Sequence, residues 1–250
     1  MKRSTNIGNK LYPIVTIIIV VLLWQGITVF RHVPQYLLPS PVKIVNTLFK
    51  DFKIISAHTK VTLYESFIGF GLSIIFSFVL AILMDSFQVI KKCIYPILVI
   101  SQTIPTIAIA PLFIIWFGFG ALPKIIVVVM VCFFPIVISL VDGFEKVDRD
   151  YINLFSTFKA SKLQTFYHLK LPYAMVNLFS GLKIAATYMI MSAVIGEWLG
   201  GDKGIGVYMV RSKNAYALDK VFASILVIVF VSILIIYIID FIGKKIVHWK

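Results

Sequence analysis

Charge is what this chain has least of. Asp, Glu, Lys and Arg make up 14% of its 250 residues, against 60% hydrophobic, and the mean hydropathy is +0.96. Soluble domains carry roughly a quarter of their residues as charges, so a water-soluble globular fold is excluded. Acidic residues are the scarcest, 11 against 24 lysines and arginines, and no apolar run holds a pair of them. That removes the paired-carboxylate chemistry of hydrolases. The two cysteines, Cys93 and Cys132, are badly placed to pair and offer no metal spacing, and the four histidines are isolated. No metal site is expected. A phosphate loop of the form G-x-x-x-x-G-K-[ST] is missing, as are H-E-x-x-H and G-x-S-x-G. An enzyme is therefore not expected, and neither is ATP binding through that loop. Internal repeats and low-complexity stretches are absent as well.

What is present is apolar sequence in lengths that fit a bilayer, which needs about 20 residues per helix. The spacing predicts an all-α integral membrane protein with six spans, at residues 11–30, 63–84, 95–117, 123–141, 175–196 and 221–239. The first run has no small-residue cleavage site and reads as a span, not a removable signal. Residues 42–52 have the apolar spacing of a helix lying along the interface. Gly69 and Gly71 are small enough for close helix approach. Residues 85–92 read as a short turn. The organisation expected is a segment at 1–62 (tail, first span and outer interfacial stretch), a five-helix core at 63–241 with its connecting loop at 142–172, and a basic tail at 242–250. Both tails are basic, and six spans put them on one side, which favours the cytoplasm for both. The net charge of +13 is scattered between apolar runs. Anionic lipid headgroups account for it, and nucleic acid is not expected.

Charges within the spans are few. Glu65, Lys183 and Glu197 are expected near membrane edges, where snorkelling relieves their cost, with Lys183 reaching a lipid phosphate. Neither a midplane acid nor a broken helix is expected. An ion-coupled secondary carrier, which commonly has one or the other, is thus the second reading, with a membrane-embedded enzyme or assembly factor third. Candidate path-lining residues are Gln102, Thr103 and Thr106 on a span bent by Pro105 and Pro111, and Ser180, Thr187 and Ser192 on the fifth span. Helix packing is the plainer role for the last three. Glu197, Asp202 and Lys203 stand in a glycine-rich outer segment that either receives a partner protein or is a solvated turn.

The longest polar interruption is residues 153–172, NLFSTFKASKLQTFYHLKLP. Leu154, Phe155 and Phe158 share a helical face. Leu163, Phe166 and Tyr167 repeat the spacing after a break at residues 159–161. Ser161 with Gln164 is a capping-box pattern, and Pro172 suits the first turn of the next helix. Two short apolar-faced helices at a membrane surface either lie in the headgroup layer or form a knob that fits a groove on another protein.

Several motifs occur in order: QTIPTIAIAPLFIIWFGFG at 102–120, FFPIVIS at 133–139, LPYAMVNLFSGLKIA at 171–185 and VIGEWLGGDKGIGVYM at 194–209. Together they resemble the inner-membrane permease subunits of binding-protein-dependent ABC importers, in the branch serving sulfonates, taurine, nitrate and the pyrimidine precursor of thiamine. The resemblance implies the type I importer permease fold, a location in the bacterial cell (inner) membrane, a second permease copy as a homodimer, and an extracellular or periplasmic substrate-binding protein. It also implies a cytoplasmic ATP-binding subunit that holds the ATP and Mg, leaving this chain with no cofactor of its own. Its loop, ending in apolar-x-Leu-Pro, docks into that subunit, which marks Phe158, Lys159, Ala160, Ser161, Leu163, Gln164, Phe166, Leu171 and Pro172 as coupling residues. Asn153, Leu154 and Phe155 stand where the family has E-A-A, and Lys159 where it has glycine. A left-handed turn there costs a lysine on the order of 1 kcal/mol. The last motif favours a thiamine pyrimidine precursor as substrate, with aliphatic sulfonate, taurine or nitrate as the alternative.

Overall fold

The computed structural model describes residues 7–31 and 33–247, so Lys2, Arg3, Trp249 and Lys250 of the expected tails lie outside the described residues. Within them every regular element is a helix. The first, α1 (Ile7–Phe30), carries the first apolar run. Ser40 then caps α2 (Pro41–Lys50): its hydroxyl accepts from the Lys43 N–H at 3.3 Å, and Pro41 starts the helix, where a missing N–H costs nothing. Ile44 and Thr47 of α2 are buried while Phe49 is exposed, the division expected of an interfacial helix.

The third helix, α3 (Phe52–Ser86), is 35 residues long, about 52 Å at 1.5 Å per residue. The expected span began at residue 63. Lys53 and Lys60 mark where apolar sequence ends, but nothing between 52 and 62 breaks a helix, so the helix outruns the bilayer and continues through the expected boundary at 62. The turn expected at 85–92 shrinks to Phe87, whose backbone is extended (φ −127°, ψ 102°). Lys91 and Lys92 belong to α4 (Gln88–Ser101).

The third span is not one helix. α4 and α5 (Thr106–Phe117) meet at 102° across residues 102–105. Pro105 keeps Ile104 out of the helical region and supplies no N–H. The N–H groups of Gln102, Thr103 and Ile104 turn back to Leu98, Ile100 and Ser101 carbonyls instead. After α6 (Ala121–Glu145) come α7 (Arg149–Thr157), α8 (Lys162–Thr165), a π-helical turn (Phe166–Lys170), α9 (Leu171–Gly200), α10 (Ile205–Asn214) and α11 (Leu218–Ile246). α11 passes residue 241 without a break.

The chain forms two compact units: residues up to Ala57 with Tyr208–Val227, and His58–Val207 with Ile228 onward. In the smaller one, the Trp24 and Phe222 rings lie 5.5 Å apart. Asp51 accepts from Lys220 Nζ at 2.8 Å and Tyr208 OH at 3.0 Å. The Lys220 ammonium holds the Asp51 carboxyl below its ordinary value, against the effect of burial. Burial, then the hydrogen bond to Asp51, pushes the Tyr208 phenol up.

The larger unit is built on α3, α6 and α9. Glu65 lies against Lys124, Ser77 Oγ donates to the Phe133 carbonyl at 3.1 Å, and Ala81 and Met84 share a small cavity with Val141 and Phe144. Numbers rise together, so α3 and α6 are parallel. α9 runs back: Cys132 Sγ contacts the Ala185 carbonyl, and a Cβ on Gly181 would fall 2.6 Å from Ser139 Oγ. Glycine is what lets these two helices close. Gly69 approaches Val128 in the same way, whereas Gly71 has nothing within 4 Å. Two consecutive parallel helices require the chain between them to return across the membrane. The bent α4–α5 pair is that return, giving six crossings with the five helices long enough to span alone. The unit therefore has a loop end, carrying 146–170, and a far end, where α10 begins.

Candidate functional site

At the loop end, two short helices are closed by their own side chains. Asp148 caps α7 through the Asp150 N–H. Ser161 and Gln164 form the expected reciprocal box: Gln164 N–H donates to Ser161 Oγ at 3.2 Å and Ser161 N–H to Gln164 Oε1 at 2.8 Å. Between them Lys159 has φ +53°. Its N–H donates to the Ser156 carbonyl at 2.9 Å and that of Ala160 to Phe155 at 3.0 Å, the bonding of a Schellman C-cap. The position expected to be left-handed is left-handed, and a lysine occupies it.

The apolar faces divide. Phe158 is 76% exposed and Leu163 66%, with Tyr151, Leu154 and Tyr167 exposed beside them. Phe166 turns inward, its ring 5.4 Å from that of Phe144 on α6. It anchors the segment to the bundle and is not part of the outward face on which the spacing had placed it. Lys170 grips both Asp85 oxygens, at 2.7 and 2.9 Å, and Lys91 pairs with Glu145. The Lys170 pair and the ring contact fasten the segment to α3 and α6, the Lys91–Glu145 pair ties α4 to the end of α6, and the π-turn, a deformation common at functional positions, connects the segment to α9. Leu171 and Pro172 are half-buried in the first turn of α9.

The far end carries an arrangement that the sequence did not announce. Glu65 (2% exposed), Lys124 (4%) and Glu197 (1%) are buried together. Lys124 Nζ bonds Glu65 Oε1 at 2.7 Å. Glu197 accepts from Thr62 Oγ1 and from the Gly206 N–H, both at 2.6 Å. Thr62 Oγ1 in turn accepts from the Ile205 N–H at 2.8 Å, and His58 Nδ1 from the Gly204 N–H at 3.1 Å. Three amides opening α10 are thus satisfied by side chains of α3 and α9, and a carboxylate sits where the helix dipole favours it. Gly204 has φ +123° and a Cβ there would lie 2.2 Å from the Glu197 carboxyl carbon, so the glycines of this stretch make room for a buried acid.

Several expectations are corrected. Glu197 is no surface contact, and neither it nor Glu65 snorkels, because α3 and α6 extend past the expected edge and enclose them. A broken helix, expected to be absent, is present. Lys183 pairs with Asp240 of α11 instead of reaching out alone. Ser192 is 1% exposed and bonds back to the Tyr188 carbonyl, so it lines no path. Asp202 and Lys203 are exposed in the turn before α10, Gln102 and Thr103 at the elbow between α4 and α5, with Thr106 half-buried just beyond. Ser180 and Thr187 lie on an exposed face of α9, each bonding its own helix. Lys124, Thr62 and His58 were missed. An isolated lysine opening an apolar run, with two isolated glutamates elsewhere, was the available signal for the first.

The family described as binding-protein-dependent transport system inner membrane component matches residues 73–248. A probable ABC transporter permease protein of Haemophilus influenzae is 34% identical over 92% of this chain and 94% of its own. A formylaminopyrimidine transport permease protein, ThiX, of Halalkalibacterium halodurans is 36% identical over 94% of this chain and 92% of its own. In fold, the chain resembles a chain from inward-facing structures of the MetNI methionine ABC transporter, with a TM-score of 0.59, 16% identity, 81% of this chain and 97% of that one covered. The six crossings, the fastened loop and these matches agree: the chain belongs to the inner-membrane permease subunits of binding-protein-dependent ABC importers.

Proposed function

We propose that this permease subunit imports an aminopyrimidine of the kind named for its 36% identical relative. It works as a dimer of two copies, with a separate ATP-binding subunit seated on residues 146–170 and an external binding protein delivering cargo. The observation that carries the reading is the loop end: exposed Phe158 and Leu163 on a segment tied by Phe166 and Lys170 to two bundle helices, α6 and α3. A push on such a segment moves α3 and α6, and α4 through its Lys91 pair with Glu145 of α6; a slack loop would absorb it. ATP and Mg then belong to the partner, and both termini, like the loop, to the cytoplasm. Gln102, Thr103, Thr106, Ser180 and Thr187 are the polar residues offered to the path, and Asp202 and Lys203 are offered to the binding protein.

The buried acids support no ion-coupled mechanism: Glu197 is bound to the Thr62 hydroxyl and the Gly206 amide, and Glu65 to Lys124. The assembled transporter in vesicles should take up labelled formylaminopyrimidine when ATP is inside, and continue after ion gradients are collapsed. Excess taurine, an aliphatic sulfonate or nitrate should leave that uptake unchanged. Uptake of one of those anions in place of the pyrimidine would overturn the substrate assignment. A tag placed between Ser156 and Gln164 that is reached from outside intact cells would overturn the orientation.

A further inference from the structure

We propose that the cleft between α9 and α11 at the loop end holds the phosphate of an anionic phospholipid headgroup. The cleft measures about 290 Å³, with Phe179 and Val247 among its walls and Lys183, Asp240 and Lys244 as its charged groups. Asp240 receives both lysines, Lys183 on one oxygen and Lys244 on the other. Two ammonium groups against one carboxylate leave an excess positive charge, and each ammonium has three donors. Lys183 leans toward the N-terminus of α9, as helical side chains do, so its charge rises toward the loop end. There it meets Lys244, whose side chain is 77% exposed at the rim.

An excess cation among apolar walls calls for an anion, and the surroundings decide its source. The adjoining surface of α11 is Tyr237, Ile238 and Phe241, all exposed. A soluble oxyanion would answer the lysines and leave that surface bare. A phospholipid answers both, its phosphate at the rim and an acyl chain along α11. The site depends on neither the substrate nor the partner that moves the loop.

The test uses the full transporter assembly in nanodiscs of phosphatidylcholine and phosphatidylglycerol, with the lipid that stays bound counted by native mass spectrometry. Lys244→Gln, at an exposed position, is expected to lower retained phosphatidylglycerol about fivefold. Lys183→Gln with Asp240→Asn, which removes the pair and leaves the excess charge on Lys244, is expected to lower it less than Lys244→Gln does. Lys60→Gln at the far end should change nothing. Equal retention in all variants overturns the proposal. So does inorganic phosphate that binds the lipid-free assembly through the same lysines and displaces the lipid.

Discussion

At the far end of the larger unit two glutamates, a lysine and a threonine are buried and bonded to one another and to the amides of α10. At the loop end, Phe158 and Leu163 stand out in the open, while the charged residues behind them form staples. One end puts polar groups inside and the other puts apolar groups outside, each against the usual preference. The contrast separates two tasks. Buried ion pairs lock helix ends in one relative position, because breaking them strands a charge. Exposed apolar faces wait for a surface to cover them. A permease that is pushed at one end needs both a handle and a hub against which the push can act.

The sharpest way to break this comparison is to strand the hub. Lys124→Ala leaves Glu65 facing Glu197 with no buried cation, a change of about 3–5 kcal/mol. The purified permease should lose its cooperative melt or melt far lower. Glu197→Gln, which still accepts from Thr62 or Gly206, should cost about 1–3 kcal/mol. If Lys124→Ala melts like the parent, the cluster is decoration and the hub does not exist.

The handle should respond in the opposite sense. Leu163→Asp changes an exposed residue and should leave the melt within about 0.5 kcal/mol, while uptake falls at least tenfold and ATP hydrolysis no longer follows substrate. Phe166→Asp should instead lower stability by about 1–3 kcal/mol, because it removes the ring packed on Phe144. Equal effects from the two would erase the distinction between outward and inward faces that the structure draws within four residues.

How much of this was legible depended on range. Apolar run length gave six crossings, and Ser161 with Gln164 gave the start of α8, since both signals are local. The ends of α3 were not legible because charge marks where a bilayer stops and not where a helix does. The 102° elbow was half legible: Pro105 was visible as a bend, but the sharpness of the bend depends on how α5 packs on α6 and α9. The far-end cluster was invisible as a cluster. Thr62, Glu65, Lys124 and Glu197 come from three helices, and only the parallel run of α3 and α6 brings them together. The glycines around Glu197 were legible as a motif, yet their reason, space for a buried carboxylate, appears only with α10 in place. Phe166 and Leu163, three apart, read as one face, yet they stand about 60° apart around the helix, and only Phe166 meets the Phe144 ring.

The smallest expected effect tests the junction inside the handle. Lys159 closes α7 with φ +53°, where a side chain costs on the order of 1 kcal/mol. Glycine would remove that cost and lose part of the gain to its freer unfolded chain, so Lys159→Gly should stabilise the end of α7 by less than about 1 kcal/mol. Global melting will not resolve this, because the hub and not the handle sets the melt. Hydrogen exchange will: the Lys159 and Ala160 amides, bonded to Ser156 and Phe155, should exchange up to about fivefold more slowly. Faster exchange would mean that the lysine side chain holds the turn through contacts worth more than its strain, and that this handle is tuned by its lysine in spite of the backbone.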